Sequence, residues 1–222
     1  MGYGISLEVW GDYALFTRPE LRVERYTYDV ITPSAARGIL EAIFWKPAIK
    51  YVIDSITVLN PINTTSVRRN EVTDKISAKD VAGAMGGNGK PLYLATSDKI
   101  AQRASVILKN VHYVIHAHFE LTTEVGETDT AEKFYNMIMR RIRKGQCFYN
   151  PYFGTKEFPV KFKLWEDDKP SAYALVAEKD FGLMLYDVDY TNKEVDVIPM
   201  YYRAIMKNGV IHTNPAQVEV VR

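Results

Sequence analysis

Residues 111–122 alternate apolar and polar side chains more regularly than any other part of the chain. This period of two is that of a β-strand with one buried face and one wetter face. The buried face is expected to hold Val111, Tyr113, Ile115, Ala117, Phe119 and Leu121. The opposite face is expected to hold His112, His116, His118, Glu120 and Thr122, with Val114 among them.

A helix follows this strand, begun by Thr130, ended near Lys144 and closed by Gly145. The first 60 residues also alternate between strands and a helix. They contain a strand over residues 5–10 that resumes at 13–16, a helix begun by Thr32-Pro33 and stopped by Pro47, and a strand over residues 51–59. This order predicts an α+β chain with a ferredoxin-like N-terminal domain, the frame of RNA-recognition motifs.

The C-terminal part is predicted to be β-rich. Short strand-like runs lie at residues 160–164, 172–177, 182–188, 195–198 and 210–211, and Asn208-Gly209 is a hairpin turn signal. We therefore expect two domains. Residues 1–157 would be ferredoxin-like with a basic helix and a hairpin insertion, and residues 158–222 would be a small β-rich domain.

Residues 60–102 have the least regular pattern. Residues 67–72 fit either a hairpin or an extended loop, and the glycine-rich residues 83–91 predict a loop. A phosphate-binding loop would end in Gly-Lys-Ser or Gly-Lys-Thr and would follow a strand, and this stretch does neither. A flexible turn is therefore the favoured interpretation.

Charge is distributed unevenly along a chain whose total is close to neutral. The 222 residues include 28 basic and 27 acidic side chains. The hydrophobic fraction of 47% and the charged fraction of 25% are those of a globular protein and exclude a disordered, collagen-like or disulfide-dominated one. Residues 61–110 carry eight basic and four acidic groups, residues 131–163 carry eight and two, and residues 164–198 carry three and nine. The net charge of +1 therefore excludes only a strongly basic binder and leaves two basic segments for nucleic acid.

The single cysteine, Cys147, cannot form an internal disulfide and fits a reducing compartment. No apolar run approaches the roughly 20 residues needed to span a bilayer. The early acidic residues Glu8 and Asp12 predict that no signal peptide is present. We therefore expect a cytoplasmic protein without a membrane partner.

The histidines of the predicted strand invite a metal-binding interpretation. His112, His116 and His118 share one face at a workable ligand spacing, and Glu120 continues the row. No cysteine cluster and no His-Glu-x-x-His motif accompanies them, so a solvated face that tolerates histidine is favoured. His112 alone could still transfer protons, because histidine titrates near neutral pH.

The helix over residues 130–144 combines an apolar stripe of Phe134, Ile138 and Ile142 with a basic C-terminal end. Aromatic and turn residues follow it at 147–154. Cations that meet phosphates and rings that stack on bases are typical of a surface for single-stranded or looped RNA. Cations at a helix C-terminus are also favourable without a ligand. Further cations favour nucleic acid here: Arg68, Arg69, Arg103 and Lys109.

Several strings are similar to one known family over residues 5–212. They are VWGDYALFT at 9–17, ITPSAARGILEAI at 31–43, WKP at 45–47, SVRRNEV at 66–72, QRASV at 102–106, AHF at 117–119, RIRKGQCF at 141–148, GTKEF at 154–158 and MKNG at 206–209. The chain resembles the CRISPR-associated family-five protein of subtype I-C (Dvulg type).

The resemblance implies a metal-independent endoribonuclease without a cofactor that cuts CRISPR precursor RNA at the base of each repeat hairpin. It implies retention on the 5′ handle of the guide RNA, with the other subunits of the interference complex as partners and duplex DNA as a further candidate ligand. The implied fold, a ferredoxin-like N-terminal domain with a β-rich C-terminal part, agrees with the pattern above. Cleavage would proceed by attack of the ribose 2′-hydroxyl on the adjacent phosphate, which requires a base, a cation and an acid.

Members of the family use a tyrosine just before the Trp-Lys-Pro string and a Lys-His pair that opens the long helix. Here the first position is Phe44 and the pair is Lys133-Phe134, so only the lysine is kept. The candidate catalytic residues are therefore Lys133 as phosphate clamp, with Tyr135 or His112 as proton shuttle. The candidate RNA-binding cations are Arg37, Lys46, Arg68, Arg69, Arg103, Arg140, Arg141, Arg143 and Lys144.

Two other hypotheses stay open. The chain could be a non-catalytic subunit that binds guide RNA, which Phe44 and Phe134 favour. Without the resemblance, the residues also fit an RNA-recognition module of another pathway or a small enzyme with a histidine-lined site. Cleavage of a repeat hairpin in EDTA separates the endonuclease from the non-catalytic subunit, and binding that is insensitive to salt would contradict both.

Overall fold

The computed structural model describes residues 3–21, 23–87, 92–190 and 197–222. Its strands in these ranges are β1 (Ile5–Ala14), β2 (Arg25–Tyr26), β3 (Ile49–Val58), β4 (Asn63–Val72), β5 (Ile100–Leu121), β6 (Lys161–Leu164), β7 (Lys179–Asp189), β8 (Ile198–Lys207), β9 (Val210–His212) and β10 (Val220–Val221). Its α-helices are α1 (Pro33–Ile43), α2 (Ala78–Met85) and α3 (Ala131–Arg143), and a 3-10 turn covers Thr96–Lys99. Within the described ranges, no helix has the length and apolar character needed to cross a bilayer.

The long strand β5 is the centre of the sheet, antiparallel to β1, β3 and β4. The strand predicted over residues 111–122 is confirmed and ends at Leu121. It begins much earlier than predicted, at Ile100, because its first half pairs with β4. That half carries Gln102 and Arg103 and is only partly buried, so it has no hydrophobic alternation to reveal it.

Both predicted helices are confirmed, with the expected caps. The Thr32 side chain accepts a hydrogen bond from the Ala35 N–H at the start of α1, and Pro33 is the first helical residue. Thr130 caps α3 in the same way, and Gly145 follows that helix with a φ of +61°. The buried stripes of both helices pack on the apolar face of the sheet: Ala36, Ile39, Leu40, Ile43, Phe134, Ile138 and Ile142.

The α+β class is confirmed, and the central elements lie in a simple order. The main path of the sheet is β10-β8-β9-β3-β5-β1-β6, so β5 and β1 lie between β3 and β6. The chain passes through β1, α1, β3, β5, α3 and β6, with both helices on the apolar face. This arrangement is compatible with the predicted ferredoxin-like fold.

The C-terminal strands extend the same sheet. β6 pairs with β1, β9 pairs with β3, and β8 and β9 form a hairpin. The hairpin turn predicted at Asn208-Gly209 is confirmed, since both residues have positive φ, +50° and +84°. The runs predicted at 160–164, 182–188 and 210–211 fall on β6, β7 and β9. Of the run at 195–198, residues 195–196 lie outside the described part, and β8 begins at Ile198. The division at residue 157 stays a prediction.

Two loop-and-strand predictions were wrong. Residues 83–85, expected in a loop, belong to α2, whose first turn is capped by the Ser77 side chain; residues 88–91 lie outside the described part. Residues 172–177, expected as a strand, form turns in which the Val176 N–H donates to the Tyr173 carbonyl. The side chain of Leu175 is fully exposed, and only Tyr173 of this run packs against the core.

Candidate functional site

The end of α1 is held by residues from α3 and from the segment that follows α3. The Arg141 guanidinium donates to the Ile43 carbonyl at 2.7 Å and lies over the Phe44 ring. The backbone N–H groups of Phe148 and Tyr149 both donate to the Ala42 carbonyl, at 2.8 and 3.3 Å. These bonds satisfy carbonyls that a helix leaves without partners at its C-terminus, and they fix the aromatic segment beside α1.

A cavity of about 370 Å³ lies at this junction, and we call it the aromatic pocket. Two of its rings are unusually open to solvent, Trp45 at 56% and Phe148 at 81%. Such exposed rings are expensive to leave in water unless a ligand covers them. The pocket is lined by Glu41, Phe44, Trp45, Lys46, Arg141, Phe148 and Tyr149.

Glu41 is the carboxylate of this pocket. Burial raises the pKa of Glu41, the Arg37 guanidinium opposes that rise, and Asp187 adds to it. The distance from the Arg37 Nε to the nearer Glu41 oxygen is 3.6 Å, whereas Arg37 makes two closer contacts of 2.8 Å with Asp187. Arg37 is therefore committed mainly to Asp187.

Lys133 lies in the first turn of α3. Its ammonium donates to the Asp129 carboxylate at 2.8 Å, and its side chain is 41% exposed. Lys133 holds the pKa of Asp129 below its usual range, and Lys46 adds to this effect. Asp129 therefore pairs with Lys133 and also experiences the charge of Lys46, which lines the aromatic pocket.

The two phenylalanines that replace the family's proton-transferring residues are part of the core. Phe44 and Phe134 are buried, and their ring centroids lie 6.3 Å apart. Neither ring carries a donor or an acceptor. Any proton transfer at this site must therefore come from another side chain.

Tyr135 follows Lys133 by two positions and is half-buried. Its ring stacks on that of Tyr3 with centroids 4.9 Å apart, and Tyr3 in turn stacks on Phe119 near the end of β5. The hydroxyl group of Tyr135 makes no hydrogen bond within the described residues. Its hydroxyl is therefore available on the helix that carries Lys133.

His112 does not join this site. It lies opposite Trp10 on the face of the sheet that the helices do not cover, and its Nε2 is 2.7 Å from the Glu8 carboxylate. Phe119, which lies at the end of the strand near Tyr3 and Tyr135, is seven positions further along β5 than His112. Seven positions correspond to about 23 Å along a strand. The structure therefore does not bring His112 together with Lys133 and Tyr135.

The other strand histidines are engaged in local pairs. His116 Nδ1 lies 2.9 Å from the Ser6 hydroxyl, and burial lowers the pKa of His116. His118 Nδ1 lies 2.9 Å from the Asp54 carboxylate, which also accepts a hydrogen bond from Asn214. In the described ranges, no group of three His, Cys, Asp or Glu side chains is arranged to hold a metal ion.

The predicted RNA-binding cations divide into two groups. The side chains open to solvent are Lys46, Arg68, Arg140, Arg143 and Lys144. The others are held by the protein itself, namely Arg37 by Asp187, Arg69 by Glu157 and Glu71, Arg103 by Glu71, and Arg141 by the Ile43 carbonyl. Sequence patterns could not separate the groups, because charge alone does not show which partners a guanidinium meets.

Two site residues were missed by sequence reasoning. Glu41 looks like an ordinary polar residue of a helix surface, and Asp129 looks like a loop residue before the helix cap. The only sequence signal for Asp129 was its spacing of four from Lys133. Nothing in the sequence pointed to Glu41, since its neighbours in the pocket come from remote segments.

Comparison with known proteins finds one matching family model and related proteins of the same name. A family model described as Cas5d, a CRISPR-associated protein of the Cas5 type, matches residues 4–214. A protein of Mannheimia succiniciproducens named CRISPR pre-crRNA endoribonuclease Cas5d is 48% identical over 227 residues, covering 100% of both chains. A protein of the same name from Thermus thermophilus is 39% identical over 186 residues, covering 84% of this chain and 73% of its own.

A crystal structure of a CRISPR-associated protein has the same fold. It superposes with a TM-score of 0.70, covering 100% of this chain and 97% of its own, at 22% identity.

Proposed function

This chain belongs to the Cas5d family of CRISPR-associated proteins, and on that basis we propose that it is a pre-crRNA endoribonuclease. The observation that carries the proposal is the open aromatic pocket, whose lining combines the exposed rings of Trp45 and Phe148 with the exposed cation Lys46. This combination suits an RNA strand, because cations bind its phosphate and exposed rings stack on its bases.

The reaction is an internal transfer at phosphorus. The ribose 2′-oxygen forms a bond to the adjacent phosphorus while the bond from phosphorus to the 5′-oxygen breaks. The 2′-hydroxyl gives up its proton and the 5′-oxygen takes one, which leaves a 2′,3′-cyclic phosphate and a 5′-hydroxyl. DNA has no 2′-hydroxyl, so cleavage is specific to RNA.

In this reaction Lys133 binds the phosphate and stabilises the charge that gathers on it. Tyr135 is the candidate proton shuttle, since it lies on the same helix and its hydroxyl is free within the described residues. His112 is left out of the site by its position on the opposite face.

The RNA approaches over the exposed cations at the C-terminal end of α3. Arg140, Arg143 and Lys144 are open to solvent and lie just before the aromatic segment that lines the pocket. Arg68, on the arm formed by β4 and the first half of β5, adds a further exposed cation.

After cleavage the protein stays on the 5′ handle within the interference complex, in the cytoplasm. Duplex DNA is a further candidate ligand.

Alanine substitutions of Arg143 and Arg141 are expected to have different effects, the first on RNA binding and the second on stability. Replacing Arg143 by alanine is expected to weaken repeat-hairpin binding and lower the slope of log affinity against log salt by about one, without changing stability. Replacing Arg141 is expected to lower the free energy of unfolding by about 1–3 kcal/mol, because the Ile43 carbonyl loses its donor. Urea unfolding and salt titrations check both, and a normally stable Arg141→Ala protein with the larger binding defect contradicts the assignment.

A second candidate function is guide-RNA binding without cleavage. The buried rings of Phe44 and Phe134 favour it, since they stand where the family has proton-transferring groups. RNA binding without cleavage would use the exposed cations and the aromatic pocket and would not require proton transfer by Tyr135.

Incubation of the purified protein with its repeat hairpin RNA in EDTA distinguishes the two functions. We expect one cut, a 2′,3′-cyclic phosphate end, and no cut when the ribose at the cleavage site is replaced by deoxyribose. Tight binding without any cut would establish the binding function instead. Binding that does not weaken between about 50 and 200 mM salt would contradict both, because several phosphate contacts make affinity steeply dependent on salt.

A further inference from the structure

We propose that the aromatic pocket holds a guanine base of the RNA and that the Glu41 carboxylate binds its Watson–Crick edge. This inference rests on the proposed function, because the base would be presented by the RNA that the neighbouring lysines bind. It adds what that function leaves open, namely which base is recognised and by which residue.

The shape of the pocket suits a flat ring. Its volume of about 370 Å³ exceeds that of a single base, and its walls are aromatic on more than one side. Trp45 and Phe148 are exposed rings on which a base can stack, and the Arg141 guanidinium lies over Phe44 as part of the lining. Base stacking on aromatic residues tolerates any base, so it explains binding and not selectivity.

Selectivity requires free polar groups, and the backbone around the pocket offers few. The Ala42 carbonyl accepts from the Phe148 and Tyr149 N–H groups, and the Ile43 carbonyl accepts from Arg141. The Phe44 carbonyl accepts from the Tyr51 hydroxyl at 2.8 Å. The backbone acceptors at the end of α1 are therefore already engaged.

Glu41 supplies the carboxylate of the pocket lining. Within the described part of the chain its carboxylate oxygens accept no hydrogen bond, and its nearest cation is the Arg37 Nε at 3.6 Å. Arg37 contacts Asp187 through its two terminal nitrogens at 2.8 Å, and its Nε–H faces Glu41 at a distance longer than a hydrogen bond. The Glu41 carboxylate therefore forms an ion pair with Arg37 but accepts no hydrogen bond within the described residues, so its oxygens can accept donors from a ligand.

Guanine is the base that supplies two donors to one carboxylate. Its N1–H and its 2-amino group lie side by side, so they can reach the two carboxylate oxygens together. Adenine and cytosine place a donor next to a ring-nitrogen acceptor, which would face the carboxylate with a lone pair. Uracil places its single N–H between two carbonyls that a carboxylate repels.

Titration with free nucleotides tests the proposal directly. Guanosine 5′-monophosphate is expected to quench the fluorescence of Trp45 and to bind about tenfold more tightly than the adenosine, cytidine, uridine and inosine monophosphates, inosine lacking the 2-amino group. The Trp45→Phe protein identifies the signal, because the chain contains 3 tryptophans. The Glu41→Gln protein is expected to lose the preference, and Glu120→Gln, an exposed carboxylate on β5, is expected to keep it.

Equal binding of all five nucleotides, or a guanine preference that survives Glu41→Gln, overturns the inference. A hairpin that is cut equally well with each guanine near the cleavage site replaced by inosine also overturns it, while the endoribonuclease function stands. A guanine preference in a protein that never cuts the hairpin supports the inference and removes the endoribonuclease function. The two conclusions therefore fail separately.

Discussion

Replacing Lys133 by alanine is expected to slow cleavage of the repeat hairpin by about 10²–10³-fold, as the loss of one preorganised charge donor does at other phosphate and oxyanion sites. The ammonium of Lys133 pairs with Asp129 at the start of α3, the helix that also carries Arg141 of the aromatic pocket. Because Phe44 and Phe134 contribute no proton-transferring group, more of the catalysis depends on charge stabilisation here. Single-turnover cleavage in EDTA with saturating protein measures the effect without interference from binding.

Lys207→Ala is the matched control, because Lys207 is also an exposed, ion-paired lysine but lies on β8. It should cut at the wild-type rate. Lys133→Arg should retain part of the activity, since it keeps the charge but not the compact ammonium. A Lys133→Ala protein that cuts normally would show that the phosphate is bound elsewhere and would remove Lys133 from the mechanism.

Replacing Gly154 by alanine is expected to lower the free energy of unfolding by about 3–5 kcal/mol. Gly154 has a φ of +79°, a left-handed conformation that side chains disfavour. A Cβ at this position would also overlap the Leu15 carbonyl, and the backbone there is already held by the bond from the Leu15 N–H to the Phe153 carbonyl. Equilibrium unfolding in urea measures the change.

Gly145→Ala provides the comparison, because Gly145 also has a positive φ but would place its Cβ in open space. It should cost only about 1–2 kcal/mol, the intrinsic penalty of the left-handed conformation. Equal losses at the two positions would mean that the close approach of residues 15 and 154 contributes nothing. A larger loss at Gly145 would contradict the close approach of Gly154 to the Leu15 carbonyl.

The elements that sequence patterns predicted well are those whose burial is periodic. β5 from Val111 onwards, α1 and α3 each combine an apolar face with end signals in the same few residues, so local information was sufficient. Of the arm of β4 and the first half of β5, only residues 67–72 were anticipated, as a hairpin or an extended loop, because the side chains of the arm are largely polar and partly exposed. Its strands are stabilised by pairing between backbones that are remote in sequence, which no local pattern records.

The candidate site was predictable only in part. Lys133 followed from the family resemblance, and the alternation of β5 already placed His112 on the face opposite the apolar one. The apolar stripe of α3, which contains Phe134, packs on the apolar face of the sheet. The alternation of β5 and the stripe of α3 together therefore already implied that His112 and Lys133 lie on different sides of the sheet. The roles of Arg141 and Arg37 as internal partners were not implicit, because both depend on contacts with distant segments.

By itself, the sequence determined the periodic burial of β5, α1 and α3, the helix caps and the family of this protein, since each of these depends on residues that are neighbours in the chain. Only the tertiary structure decided which cations remain exposed and which residues form the aromatic pocket. Glu41 and Trp45 meet Arg141 and Phe148 there, across a separation of about 100 residues, because α1 and α3 bury their stripes on the same face of the sheet. Packing between remote segments created that pocket, and local patterns carry no record of such packing.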